Sequence, residues 1–169
     1  MSSPAEQHKS EAPQSIRCAV ITVSDTRTLE NDSGGALVVE RLEAAGHCAV
    51  ERCIVPDEPD RMRPALESLR DRDDIDAVLL TGGTGISSRD RTFETVSGLL
   101  DTHLPGYGEL FRMLSYEEIG PAALLSRAIG GLAGRTVVLT MPGSPAGVRL
   151  AMERIIIPEL GHLVREARR

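Results

Sequence analysis

The sequence predicts an α/β fold with three layers, in which helices cover both faces of a mostly parallel sheet. Runs of β-prone apolar residues alternate along the chain with segments of helical periodicity, and this alternation is typical of parallel strands joined by helical crossovers. The run at 17–23 is β-prone throughout rather than at every second position, as expected for a strand that is buried on both faces.

Each element of the first half follows from its own local pattern. The sequence Asp32-Ser33-Gly34 is typical of a helix amino terminus, and Gly46 is typical of a helix end. The predicted elements are, in order, a strand at 17–23, a helix that ends before Gly46, a strand at 50–55, a helix at 60–72 and a strand at 76–80.

The second half is predicted to contain three more helices and one clear strand. Leu110, Met113 and Leu114 recur at helical spacing and are expected to face the core. Ser144 is expected to cap the last helix, and Pro158 to kink or split it. The predicted elements are helices at 92–100 and 109–119, a strand at 135–139 and a helix from 145 to about 166, while the segment 124–129 fits either a helix or a short strand.

The composition fits one folded domain with a polar tail. The chain has 169 residues, of which 41% are hydrophobic and 26% are charged, enough for one well-packed core. Residues 1–15 are polar and lack periodicity, so we expect a flexible tail followed by a single domain at 16–169. Since the sequence has no apolar run that could span a membrane and no apolar signal segment near Met1, we expect a cytoplasmic protein.

Charge and residue types exclude some classes of function. The net charge is −6, and the chain has two Tyr, two Phe and no Trp, which argues against a nucleic-acid partner. The only lysine, Lys9, lies in the predicted tail. A cation that contacts a phosphate in the folded domain is therefore expected to be arginine or, less reliably, histidine, and a Walker-type phosphate loop is excluded because it needs its lysine.

The most informative stretch is the glycine-rich turn at 81–85, Thr81-Gly82-Gly83-Thr84-Gly85, which follows a predicted strand. Glycines allow positive φ and close approach of a ligand to the main chain, and exposed N–H groups in such a turn can bind an anion. Arg89 adds a fork of donors suited to phosphate, and Asp90 adds an oxygen ligand suited to Mg²⁺. The alternative is an ordinary connection between a strand and a helix.

Four polar clusters follow predicted strands: Ser24-Asp25, Asp57-Glu58, the glycine turn through Asp90, and Gly143-Ser144. Ligands of open α/β sheets bind beyond the carboxyl ends of the strands, so these clusters are expected to converge. Each one taken alone also fits a purely structural role. Together they favour phosphoryl or nucleotidyl transfer, with Asp57 and Asp90 holding Mg²⁺ on a triphosphate and Arg89 and the turn amides holding the phosphates.

Several short motifs occur in a fixed order along the chain. They are Val23-Ser24-Asp25-Thr26-Arg27, Asp32-Ser33-Gly34, Pro56-Asp57-Glu58, Thr81-Gly82-Gly83-Thr84-Gly85 with Arg89-Asp90, Gly106-Tyr107-Gly108-Glu109, Ser126-Arg127 and Met141-Pro142-Gly143-Ser144-Pro145. With these motifs the chain resembles the molybdenum cofactor biosynthesis family over residues 16 to 165. The stretch 109–120 is similar to the protein B branch of that family rather than to its molybdopterin adenylyltransferase branch.

The resemblance implies a molybdopterin-binding fold and the MgATP-dependent adenylylation of molybdopterin, with release of pyrophosphate. Its implied ligands are Mg²⁺, ATP and molybdopterin. It also implies a homotrimer or a dimer of trimers, and other proteins of the same pathway are further candidate partners. The alternative within the family is a pterin-binding or assembly protein without catalytic activity. An unrelated nucleotide enzyme is disfavoured because the first strand ends in Ser24-Asp25 rather than in a dinucleotide fingerprint.

The family motifs also imply roles for individual residues. Asp57 and Asp90 correspond to the catalytic acidic pair and to the metal ligands. The residues implied to line the ligand site are Ser24, Asp25, Thr81, Gly82, Gly83, Thr84, Gly85, Arg89, Glu109, Ser126, Arg127, Pro142, Gly143 and Ser144.

Overall fold

The computed structural model describes Pro13 and residues 15–169. The predicted tail at 1–15 therefore lies outside the described residues, except for Pro13 and Ser15. Within the described part, no helix is long and apolar enough to cross a membrane.

A six-stranded sheet forms the centre of the domain. Its strands are β1 (Arg17–Val23), β2 (Cys48–Val55), β3 (Ala77–Thr81), β4 (Thr102–His103), β5 (Gly130–Ala133) and β6 (Thr136–Met141). Their order in space is β2-β1-β3-β6-β5-β4. The first four in this order are parallel, whereas β5 runs antiparallel to both β6 and β4. The predicted mostly parallel sheet is confirmed.

Helices cover both faces of this sheet. They are α1 (Ser33–Ala44), α2 (Pro59–Arg70), α3 (Thr92–Ser97), α4 (Pro105–Ile119), α5 (Pro145–Ala151) and α6 (Ile157–Ala167). One apolar core contains Leu42 of α1 and Phe111 of α4, and the other contains Met62 of α2 and Val96 of α3. Alternate residues of β1 enter the two cores, which explains why its sequence is apolar on both faces.

The predicted inward face of α4 is wrong for Leu110 and Met113, whereas Leu114 packs against the core that contains Phe111, as predicted. The helix begins at Pro105 rather than at Glu109, because proline is well tolerated in the first turn of a helix. The earlier start brings Tyr107 into the helix, and the buried face follows Tyr107 and Phe111, while Leu110 is 48% exposed and Met113 is 54% exposed. The large aromatic side chains thus determine the rotation of α4.

Two further features lie at the edges of regular structure. The segment 124–129 is neither a helix nor a strand throughout, since a 3₁₀ turn (Gly120–Leu125) precedes an extended stretch that leads into β5. The last helix is split, as Pro158 predicts: a π-helical segment (Met152–Ile156) separates α5 from α6. A proline cannot donate the N–H bond of a regular helix, and the helix widens in the preceding turn.

The reversal of β5 matters for function. Because β5 is antiparallel to β6, the residues that precede it lie at the same edge of the sheet as the residues that follow β1, β3 and β6. Hydrogen bonds from Ile129 N to Thr140 Oγ1 (2.9 Å) and from Thr140 N to Ile129 O (2.9 Å) fix this entry to the end of β6.

Candidate functional site

The predicted site residues gather beyond the carboxyl ends of the parallel strands. After β1 the chain crosses to β2 on one side, and it then returns to form β3 on the other side of β1. Such a change of direction opens a crevice between the carboxyl ends of the central strands, where α/β proteins bind their ligands. The glycine turn at 81–85 and the loop that begins at Ser24 lie at this point.

The glycine turn depends on glycine at two successive positions. Gly82 and Gly83 have φ angles of +102° and +64°, which side chains with a Cβ rarely adopt. A Cβ at Gly82 would lie 2.3 Å from the carbonyl oxygen of Val23. The turn is fixed by bonds from Gly82 N to Met141 O (3.0 Å) and from Thr92 N to Gly83 O (3.2 Å). It therefore packs directly on the ends of β1 and β6.

Asp57 is a buried carboxylate beside this turn. Its Oδ1 accepts a hydrogen bond from Arg91 N at 2.9 Å, and its own N–H donates to Oδ1 of Asp25 at 3.0 Å. Burial raises the pKa of Asp57, and the charges of Asp90 and Asp25 raise it further, against the opposing effect of the Arg91 N–H. A cation close to Asp57 would therefore favour the ionised form of this carboxyl group.

Arg89 reaches across the crevice to Asp25. Its Nη2 and Nε donate to Oδ2 of Asp25 at 2.6 and 3.2 Å. The hydrogen bond from Arg89 lowers the pKa of Asp25. The guanidinium remains 61% exposed, so it faces the solvent from which a phosphate would arrive. Ser24 shapes the same loop, since its Oγ accepts from Thr26 N at 3.2 Å.

Asp90 lies at the end of the loop that follows the glycine turn. Its Oδ2 accepts from Ser87 N at 2.8 Å, and its N–H donates to Ser87 O at 3.0 Å. A Cβ on Gly85 would lie 2.8 Å from Oδ2 of Asp90. The third glycine of the motif therefore makes room for this carboxylate.

The carboxylates fit a magnesium ion that is shared with a ligand. Within the described residues, no group of three or more His, Cys, Asp or Glu side chains could hold a metal ion. Mg²⁺, however, commonly takes one or two protein carboxylates and completes its octahedron with phosphate oxygens and water. Asp57 and Asp90 could supply such a pair, and a cation there would offset the burial and, to a lesser degree, the charges of Asp90 and Asp25 that raise the pKa of Asp57.

Arg127 binds the main chain of the loop that carries Asp90. Its Nε donates to Gly85 O at 2.7 Å and its Nη2 to Asp90 O at 2.8 Å. Its Nη1 donates to the Glu94 carboxylate, and its guanidinium carbon lies 5.4 Å from the ring centroid of Phe93. The preceding Ser126 has a local role, because its Oγ accepts from Ala128 N at 3.4 Å.

Comparisons with known proteins bear on the family and the fold. A family model described as a probable molybdopterin binding domain matches residues 19–162. The molybdenum cofactor biosynthesis protein B of Halalkalibacterium halodurans is 54% identical over 162 residues, which are 95% of each chain. That of Bacillus subtilis is 52% identical over 166 residues, 97% of each chain.

The chain belongs to the molybdenum cofactor biosynthesis family. A crystal structure of molybdenum cofactor biosynthesis protein B superposes with a TM-score of 0.90 at 51% identity, over 94% of this chain and 99% of that one. The molybdopterin biosynthesis enzyme MoaB of Thermus thermophilus gives a TM-score of 0.80 at 36% identity, over 90% and 96% of the two chains. The predicted family and fold are confirmed.

In this family member, one cavity is lined by Arg127 and another by Phe93. One, of about 180 Å³, is lined by Asp90 and Arg127 together with Ser87. The other, of about 240 Å³, is lined by Phe93 and Glu109. Because Arg127 stacks on Phe93, this pair stands between the two cavities. Glu109 therefore lies on the second cavity and not with the aspartates.

Residues 142–144 follow β6 and lie beside the glycine turn. Thr81 Oγ1 donates to Pro142 O at 2.9 Å, and a Cβ at Gly34 would lie 3.0 Å from Gly143 O. Ser144 caps α5, as predicted, by accepting from Gly147 N at 3.2 Å. These contacts join the end of β6 to the end of β3 and to the start of α1.

A buried network behind the site was not predicted. Asp32 was predicted only as a helix cap, and it does accept from Gly35 N at 2.9 Å. It also accepts from Thr22 Oγ1 at 2.6 Å and from Arg52 Nη2 at 2.9 Å. One residue of the sequence could have indicated this network. Thr22 places a hydroxyl in an otherwise apolar strand, and a buried hydroxyl needs a hydrogen-bond partner.

Proposed function

We propose that this member of the molybdenum cofactor biosynthesis family catalyses the adenylylation of molybdopterin. An oxygen of the terminal phosphate of molybdopterin attacks the α-phosphorus of ATP, and the bond from that phosphorus to the pyrophosphate oxygen breaks. The observation that carries the proposal is the meeting of Asp57, Asp90 and the glycine turn at one edge of the sheet. Nucleotidyl transfer depends mainly on positioning and on charge neutralisation, and these residues offer both.

The roles that we assign follow from charge and exposure. The exposed Arg89 guanidinium and the N–H groups of the turn at 81–85 bind phosphate oxygens. Asp57 and Asp90 hold the magnesium ion, which neutralises the charge that develops on the phosphates during transfer. Asp25 keeps Arg89 directed across the crevice through its bond at 2.6 Å and supports Asp57 through the bond to its N–H.

The test is direct. Purified protein is incubated with molybdopterin, ATP and Mg²⁺, and adenylylated pterin and pyrophosphate are measured. We expect product from the wild type, loss of product in Asp57→Asn and Asp90→Asn, and loss when Mg²⁺ is chelated. Asp71→Asn is the matched control, because Asp71 is an exposed aspartate that pairs with Arg70 away from the crevice. Full activity in both site variants would remove Asp57 and Asp90 from the mechanism.

A second candidate is a protein that binds molybdopterin without transforming it. The observation that favours it is that the polar groups are already engaged: Arg89 with Asp25, Asp57 with the Arg91 N–H, and Asp90 with the Ser87 N–H. This candidate predicts tight binding of molybdopterin and no consumption of ATP. Absence of pterin binding would exclude both candidates.

We further propose that the chain assembles through one face of α4 and the 3₁₀ turn that follows it, defined here as the α4 face. The α4 face consists of the exposed apolar side chains Leu110, Met113, Tyr116, Ile119, Leu124 and Leu125. An apolar surface of this kind is usually covered by a partner, and the family resemblance points to trimers or to pairs of trimers of a single domain at 16–169. A cytoplasmic location follows from the proposed use of ATP.

A further inference from the structure

Arg127 joins the two ends of one short loop. The loop 85–90 leaves the glycine turn, carries Arg89 and ends at Asp90. Arg127 Nε donates to the carbonyl of Gly85 (2.7 Å), where this loop begins, and Nη2 donates to the carbonyl of Asp90 (2.8 Å), where it ends. The Arg127 main-chain N–H donates to Thr84 O at 2.8 Å. The loop is therefore closed by one side chain.

The guanidinium group of Arg127 is held in place by its own contacts. Each of its three nitrogens donates to a different acceptor, the third being the carboxylate of Glu94, and one face lies over the Phe93 ring. A planar group bound in this way has little rotational freedom. The side chain is 26% exposed, so most of it is enclosed by the loop and by α3.

The base of the side chain is attached to the sheet. Ile129, two residues further along, exchanges hydrogen bonds with Thr140 at the end of β6. The antiparallel entry of β5 thus supplies a fixed point from which Arg127 reaches the loop. The sequence motif implied that Arg127 contacts the ligand; in the structure its guanidinium binds carbonyls, a carboxylate and a ring of the chain itself.

We infer that Arg127 is a positioning residue that sets the place of Asp90 in the magnesium site by bridging the carbonyls of Gly85 and Asp90. This inference rests on the proposed function for the role of the metal, but the closure of the loop does not depend on it. Groups that orient a metal ligand commonly affect metal affinity by one or two orders of magnitude.

Replacement by lysine separates this role from a ligand contact. The substitution Arg127→Lys keeps the positive charge, yet a single ammonium group cannot reproduce the planar fork that spans two carbonyls. If Arg127 served chiefly as a charge for a ligand phosphate, the lysine variant would retain most of the function. If Arg127 instead serves as a bridge between the two carbonyls, both Arg127→Lys and Arg127→Gln lose the function.

The experiment measures amide hydrogen exchange over 85–92 and the binding of Mn²⁺, used as a paramagnetic substitute for Mg²⁺, in the full chain. We expect both variants to exchange faster in this loop, with unchanged exchange in β1 and β3, and to bind Mn²⁺ about tenfold more weakly. Arg135→Gln is the matched control, because Arg135 also donates to a carbonyl, that of Arg168, at 3.0 Å. Unchanged exchange in Arg127→Gln, or wild-type behaviour of Arg127→Lys, would overturn the inference.

The measurement also distinguishes failure of the proposed function. If Asp90→Asn bound Mn²⁺ as tightly as the wild type, the magnesium site at Asp90 would be wrong, and with it the role of Arg127 in that site. If Asp90→Asn lost the binding of Mn²⁺ but neither variant at Arg127 did, the metal site at Asp90 would be supported and the positioning role of Arg127 would be wrong. Thermal unfolding of each variant shows whether the fold is retained.

Discussion

The carboxylate of Asp57 lies against the main chain of Gly83, so closely that a Cβ on this glycine would be 2.4 Å from Oδ2 of Asp57. The contact joins the loop after β2 to the turn after β3, although β1 lies between these two strands. A buried acid and the glycine turn can thus approach each other this closely because residue 83 has no Cβ.

Gly83→Ala should therefore cost both stability and activity. The added Cβ would meet Asp57 and Thr92 Oγ1, the latter at 2.2 Å, and alanine would be strained at a φ of +64°. We expect a loss of about 2–4 kcal/mol in the free energy of unfolding, measured by urea denaturation, together with loss of adenylylation. Gly46→Ala is the control for strain alone, since Gly46 has a φ of +82° and open space around it. Equal costs in the two variants would show that the contact with Asp57 contributes nothing.

Asp57→Asn should inactivate the protein and yet stabilise it at neutral pH. Because burial and the neighbouring Asp90 and Asp25 raise the pKa of Asp57, its folded state is favoured when the group is protonated. The stabilisation by protonated Asp57 is complete below the pKa of the unfolded state, about 3.9. It is lost as the pH rises through the raised pKa of the folded state. Urea unfolding without Mg²⁺ should show the variant to be more stable at pH 7, with the difference shrinking towards acid pH. A constant difference at all pH values would contradict the raised pKa.

Asp32→Asn should have the opposite dependence on pH. Burial alone would raise the pKa of Asp32, but hydrogen bonds from Thr22, Gly35 and Arg52 outweigh it and lower the pKa. The stabilisation is present above the unfolded value of about 3.9 and is lost as the pH falls through the lowered value. We expect the variant to lose about 1–3 kcal/mol at pH 7 and to approach the wild type in acid. An equally stable variant at pH 7 would mean that the network carries no net energy.

Arg89→Gln should weaken the binding of ATP while the fold is retained. The guanidinium is exposed and lies at the crevice, and charge-assisted bonds to phosphate are worth about 1.5–3 kcal/mol. Titration calorimetry should show about tenfold weaker binding or more, with a smaller dependence on salt than in the wild type. Arg135→Gln removes the same charge at the opposite edge of the sheet, and similar weakening in that control would indicate a general effect of net charge.

Met113→Glu should dissociate the proposed assembly. Met113 is 54% exposed at the centre of the α4 face, and a charge there would be buried without a partner in any interface that covers it. Light scattering coupled to size-exclusion chromatography should show a smaller particle than the wild type. Leu29→Glu is the control, because Leu29 is an equally exposed leucine, at 56%, outside the α4 face. If the wild type were already monomeric, the proposed interface would be wrong.

Local signals in the sequence were sufficient for much of the fold. The continuous β-prone run of β1 predicted a strand buried on both faces, and it enters both cores. Asp32 and Ser144 were predicted as caps and accept the expected N–H bonds. These predictions are confirmed because each feature depends on residues within one turn or one strand.

Features that depend on partners distant in sequence could not be predicted in the same way. The predicted inward face of α4 was wrong at Leu110 and Met113 because the pattern of leucine and methionine fits more than one rotation, and packing against the sheet selects the face with Tyr107 and Phe111. The reversal at β5 follows from pairing with β6, not from its four residues. The contacts of Arg127 with Gly85 and Asp90 join segments far apart in the chain and depend on that reversal.

The short strand β4 has a consequence for how this fold can diversify. It adds only two residues at the outer edge of the sheet, and α4, which follows it, carries Glu109 at the wall of the second cavity. The parallel strands that hold Asp57 and the glycine turn are complete without this edge. Changes in the length or composition of the edge would therefore alter the shape of the second cavity and leave the crevice at Asp57 and the glycine turn as it is.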